Sequence, residues 1–160
     1  MTKLKKEYNN IYNEFKYNSK YNEMKGELHH GISRYDHINR VGKLSFYGTK
    51  LFHLDYISAT RGALLHDFFT ISDINKTSYK KYLKTHPEIA LENAVKHFYV
   101  NEKEKDIIEN HMYPITKTKP QSKESYIVSF SDKLVSIYEF FRFQVKLKVS
   151  IFILFLINIW

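Results

Sequence analysis

Apolar residues along this chain recur at intervals of three and four rather than in alternation, and that period predicts helices. Leu4, Tyr8, Ile11, Phe15, Met24 and Leu28 fit one helix from Leu4 to Leu28, through an Asn-rich middle. "HHGIS" at 29–33 reads as a turn. His37, Val41, Leu44, Gly48, Leu51 and Phe52 then mark one face of a second helix, which turns His37 inward. Asp55 is placed to cap a third helix running through Ile57, Ala63 and Leu64 to His66.

"TISDINKTS" is a polar loop. In "THPEIALENAVKHF", Pro87 suits a first helical position and Ile89, Ala90, Ala94 and Val95 form an apolar stripe, so His86 is expected at that helix's start. Asn101 and Glu104 have capping-box spacing for a short helix that ends near His111 and is stopped by Pro114. Residues 114–123 read as a loop. A last helix is expected from about Glu124 to Phe141, with Asp132 in its middle between apolar residues. No strand-like alternation of useful length and no internal repeat occur, so the expected class is all-α.

The chain has 160 residues, enough for a one-domain core without covalent staples. It contains no Cys, which excludes thiolate nucleophiles and Cys-ligated metals and leaves His and carboxylate as the metal-binding side chains. Residues 1–25 carry basic residues but no apolar signal core, so the expected location is cytoplasmic, of bacterial type. The net charge of +8 is compatible with anionic partners, yet the lysines are scattered among acids and read mainly as solvated surface. The 13 Tyr and 12 Phe form no basic-aromatic stacking groove and are read as core and composition, so nucleic acid is not an expected partner.

"VSIFILFLINIW", at 149–160, is uncharged but short of a standard membrane span, and upstream it meets Lys148 and Lys146. Three readings stay open: a helix packed on the domain or on a second copy, a membrane-surface anchor aided by those lysines, and a terminus without an evolved role. The chain thus divides into an N-terminal helix (1–28), a central domain (29–141) and a basic-then-apolar tail (142–160), with membrane contact through the tail and homo-oligomerisation among its consequences.

His37, His66, Asp67, His86, His111 and Asp132 each fall at or near a helix end or on an apolar helix face, on five expected helices that can bring them together. Six N and O ligands suit two divalent ions of the Mn, Fe, Co or Zn type, whereas Mg or Ca sites favour oxygen ligands. Successive helical residues point about 100° apart, so the His66-Asp67 pair can serve two neighbouring ions, the carboxylate bridging them.

"YDHINRV", "RGALLHDFF" and "SFSDKLVSIYE", in this order and spacing, resemble the HD-domain metal-dependent phosphohydrolase superfamily over about His29 to Phe141. "THPEIALENA" and "IIENHMYPIT" resemble members with extra histidines and two metal ions. The resemblance implies a helical bundle with a central His/Asp metal site. His37, His66, Asp67 and Asp132 would surround the first ion; His86 and His111 would complete the second, sharing Asp67. The chain departs from the cyclic-di-GMP branch: Phe68, Phe69 and Thr70 follow the HD pair, no "GYP" occurs, and Met112 follows His111 where that branch has paired histidines. Small stand-alone bacterial HD proteins are the nearer likeness.

The implied activity is hydrolysis of a phosphate ester of a nucleotide or other small molecule, with hydroxide supplied by water at the metal and no protein nucleophile. Asp67 and His66 are the residues expected at the reacting centre. Among the nearby cations Arg34, Arg40, Arg61, Lys76 and Lys133, Arg34 and Lys133 are expected to bind the substrate phosphate. His29 and His30 could orient a ligand imidazole; His53 and His97 match no motif and read as structural or surface residues. The alternative is a metal-containing module that binds or senses a nucleotide with little turnover.

Overall fold

Ser33, Asp55 and Asn101 start three of the helices in one way: a side-chain oxygen accepts an N–H from the first turn. The Ser33 hydroxyl accepts from the Asp36 amide at 3.1 Å, Asp55 from Ser58 at 3.1 Å, and Asn101 from Glu104 at 2.9 Å. Glu104 returns the bond to the Asn101 amide, completing the expected capping box. Asp55 also caps its helix as expected.

The computed structural model describes residues 2–29, 32–74 and 79–157; for 28, 29, 79–82, 146 and 149–157 it gives the backbone alone. The helices are α1 (Lys3–Lys16), α2 (Ser19–Glu23), α3 (Arg34–Leu51), α4 (Tyr56–Leu65), α5 (Tyr79–His97), α6 (Glu102–Asn110) and α7 (Lys123–Ile157). A two-stranded antiparallel ribbon, β1 (Leu28–His29) with β2 (Ile32–Ser33), leads into α3, pairing Leu28 with Ser33 and His29 with Ile32. The fold is otherwise helical, as the apolar period predicts.

Four expectations are corrected. The helix expected from Leu4 to Leu28 is broken at Tyr17-Asn18: Asn18 is extended and its side chain accepts from the Tyr21 amide, starting α2. Such side-chain bonds to the backbone compete with helix continuation. The inward face of α3 also differs, since Leu51 and Phe52 are 73% and 64% exposed while Ile38, Val41, Gly42, Ser45, Phe46 and Thr49 are buried. Small residues govern that face: Gly42 admits Leu64 closely, and the Thr49 hydroxyl is satisfied by the Ser45 carbonyl at 2.7 Å.

Pro87 lies inside α5, not at its start, so His86 is in the body of a helix. A prolyl φ is itself helical, and the helix continues with one N–H fewer. Finally, α7 runs past Phe141 to Ile157, through a sequence without Gly or Pro. Phe143, Val145 and Leu147 on that extension are exposed, as are Phe140 and Phe141 just before it. Among the described residues no helix is long and apolar enough to cross a membrane. The side chains of the 149–160 segment lie outside the described residues.

Two buried clusters meet on α4. Leu64 and Leu65 join an aromatic core with Tyr8, Phe15, Tyr21, Phe46, Phe68 and Phe69, whereas other aromatics, among them Tyr17, Tyr99 and Phe141, are exposed. Ala59 and Ala63 join Val41, Ile107, Val128 and Val135. The helix is held close on two sides. A Cβ on Gly42 would lie 2.8 Å from Leu64 Cδ2, and one on Gly62 would lie 2.7 Å from Ile107 Cγ2. Gly62 and Ile107 each stand one turn before a histidine, His66 and His111.

Gly62→Ala is therefore expected to destabilise the protein by about 1–3 kcal/mol, since a packed β-branched side chain must move. Urea unfolding checks this; unchanged stability would mean that α4 and α6 are free to part.

Candidate metal centre

The last carbonyls of a helix lack intrahelical donors. At the ends of α4 and α6 a histidine imidazole fills that need. The Nδ1–H of His66 donates to the Ala63 carbonyl at 2.7 Å, and that of His111 donates to the Ile108 carbonyl at 2.7 Å. When neutral, both rings then carry the lone pair on Nε2, the atom available to a metal. Local helix termination thus turns both Nε2 atoms away from their own helices.

The structure brings all six expected ligands together. His37 and His66 are wholly buried, and Asp132, the most accessible of the six, is 8% exposed. His37 Nε2 is 3.1 Å from Asp132 Oδ1, and His66 Nε2 is 3.8 Å from the same oxygen. On the other side, Asp67 Oδ1 lies 3.4 Å from His86 Nε2 and 3.7 Å from His111 Nε2, while the two Nε2 atoms are 3.1 Å apart. Two overlapping groups, His37/His66/Asp132 and His66/Asp67/His111, have their donor atoms within 4.8 Å of one another.

Two atoms at the centre lack hydrogen bonds: His66 Nε2 and Asp67 Oδ1. Leaving a buried polar atom unsatisfied costs about 1–3 kcal/mol, more when it is charged. A cation between them would satisfy both, and the N and O donor set suits a divalent ion of the Mn, Fe, Co or Zn type. The residues present fit such an ion.

The electrostatics without a cation are uneven. Burial disfavours a charged His37, but hydrogen bonds to Asp132 and Glu139 outweigh it and raise the ring to about 9. Burial, reinforced by His66 and His86, holds His111 down at about 3. Burial likewise opposes ionisation of Asp67, yet His66, His86, Arg34 and His111 keep its carboxyl well below the usual range. Asp132 is also held low: against its burial stand the His37 hydrogen bond and the nearby imidazoles.

One participant was not expected from the sequence. Glu139 is buried on α7, its Oε2 2.9 Å from His37 Nδ1 and its Oε1 2.8 Å from Arg40 Nη1. The available signal was spacing: Glu139 follows Asp132 by two helical turns, and Arg40 follows His37 by three residues.

The expected cations are placed differently. Arg34 is buried, its Nη1 3.7 Å from Asp67 Oδ2 and its guanidinium 3.8 Å over the Phe69 ring. Lys133 donates to the carbonyls of His111 (3.0 Å) and Ser129 (3.1 Å) and to the Ser129 hydroxyl (2.7 Å), so its three protons brace the end of α6. Arg61 binds Glu104 at 2.6 Å, the Tyr99 carbonyl at 2.7 Å and Glu14, a structural role. Lys76, His30 and the His29 side chain lie outside the described residues. His53 and His97 are exposed, and neither belongs to the metal-ligand groups.

No family model, curated protein or solved structure matches this chain.

The titrations give a signed prediction for chelator-treated protein. The raised His37 contributes stability that is complete below its unfolded value of 6.5 and is lost as pH rises through about 9. The depressed His111 acts oppositely, removing stability as pH falls from 6.5 toward about 3. The melting temperature of metal-free protein should therefore peak near 6.5 and fall on both sides. A curve that rises or falls steadily from pH 4.5 to 9 would contradict these environments.

Proposed function

We propose that this chain is an HD-type metal-dependent phosphohydrolase acting on a phosphate ester of a nucleotide or other small molecule. One observation carries the reading: within the H…HD…D pattern, His66 Nε2 and Asp67 Oδ1 are buried without hydrogen bonds in a ring of nitrogen and oxygen donors. His37, His66, Asp67 and Asp132 would hold one ion. His86 and His111 would hold a second, Asp67 lying between the two positions. Bound there, divalent ions supply an activated water and offset the charge on phosphoryl oxygens.

The chain's own groups have separable tasks. The hydrogen bonds of His66 and His111 to their helix carbonyls keep Nε2 aimed at the centre. Arg34, stacked on Phe69 beside Asp67, is the cation placed to meet a phosphoryl oxygen. Lys133 can reach substrate only by leaving His111 and Ser129, so the grip falls to Arg34. A cavity of about 430 Å³ opens between α5, the end of α6 and the following loop, its charged lining made of Lys84 and Lys117 with Glu88 and Glu109. Pro87 follows His86 and Asn110 precedes His111 in sequence, so the cavity lies on the α5–α6 side of the cluster, and none of the six ligand residues lines it. Its size suits the body of a small organic phosphate.

The test is hydrolysis of bis-p-nitrophenyl phosphate and a nucleotide panel by protein stripped and reloaded with Mn²⁺. Turnover should vanish with chelator and return with metal, and Asp67→Asn should lower kcat by roughly a hundredfold or more. Metal-loaded protein that binds nucleotides but hydrolyses no ester would favour the sensing module.

A further inference from the structure

His37 differs from His66 and His111 in what stands behind it. Those two rings lean on neutral carbonyls of their own helices. His37 instead has the Glu139 carboxylate at Nδ1, supplied by α7, whose other oxygen is held by Arg40 from α3. The Glu139 side chain is wholly buried, whereas that of Arg40 is 33% exposed. A chain of Arg40, Glu139, His37 and Asp132 therefore crosses the α3–α7 interface, each link between 2.8 and 3.1 Å.

The geometry points to Glu139 as a positioning residue that fixes His37 for metal binding and makes the His37/His66/Asp132 position the tighter of the two. The inference rests on the metal-binding reading of the cluster. A carboxylate behind a ligand imidazole fixes the ring and the tautomer, leaving the Nε2 lone pair toward the ion and making it a stronger donor. Carbonyl partners fix the tautomer but bring no full charge. The first position also gathers two carboxylates, Asp132 as ligand and Glu139 behind His37, with Arg40 countering Glu139 alone. The second position has the shared Asp67 as its carboxylate, whose charge Arg34 at 3.7 Å offsets for both positions alike, and gathers no counterpart of Asp132 or Glu139 among the described residues. Both differences favour the first position.

The test titrates Co²⁺ into the full chain after chelator treatment, reading visible absorption against a competing chelator. Wild type should bind in two resolved steps, and His86→Ala should lose the weaker one. Glu139→Gln should weaken the tighter step by roughly 10–100-fold and leave the weaker step in place. Arg40→Gln, at a partly exposed position, provides a second variant that does not depend on removing a buried acid. It should weaken the same step by a smaller factor, with the absorption band of the tight site shifted.

Equal loss at both steps, or no change in either variant, overturns the positioning role while metal binding stands. A wild type that takes up no Co²⁺ overturns the metal reading itself.

Discussion

The carboxylate of Asp67 is the constraint on which the rest of this structure turns. It is buried at the end of α4, and one of its oxygens receives no hydrogen bond. A charge in such a place carries a desolvation penalty of several kcal/mol unless opposite charge surrounds it. Arg34 supplies positive charge on one side, and on the other three imidazoles present nitrogen atoms, the four residues being drawn from four different helices or their ends. The bare nitrogen of His66 points into the same space. An arrangement that leaves both groups unsatisfied is understandable as a socket for a cation and difficult to understand as a core.

The helices that build this socket are held by ordinary packing. Glycines at 42 and 62 let α4 approach α3 and α6 more closely than any side chain would permit. His66 and His111, one turn beyond the Gly62–Ile107 contact, are consequently stacked edge to face with ring centroids 4.8 Å apart. Their helix-terminating hydrogen bonds orient them before any ligand arrives. Preorganisation of this kind lowers the entropic penalty of assembling a metal site and fixes where its donors point. Lys133 contributes indirectly, tying α7 to the carbonyl of His111.

Much of the site was legible in the sequence because its ligands fall where local rules place them. Asp55, Asn101 and Glu104 announced two helix starts, and those helices end on His66 and His111. Asp132 was placed by the apolar period of α7. Features that depend on the partner surface were not legible. The buried face of α3 is set by Gly42, Ser45 and Thr49, residues that a hydrophobic pattern reads as exposed. Asn18 breaks the first helix through a side-chain bond that competes with the helix only in that local geometry. Glu139 acquires its role only where α7 packs on α3, because its partners His37 and Arg40 lie about a hundred residues away in sequence. Nearness to Asp132 in sequence suggests a substrate role for Lys133, but its partners in space are the His111 and Ser129 carbonyls and the Ser129 hydroxyl.

Two divalent ions are proposed for the buried cluster, whose donor groups could hold a metal ion. Anomalous diffraction from crystals of protein loaded with Mn²⁺, collected near the manganese edge, tests this directly. Two peaks are expected: one among His37, His66, Asp67 and Asp132, and one among His86, His111 and Asp67. A cluster without anomalous density, in protein that remains folded and fully exposed to the metal, would contradict it.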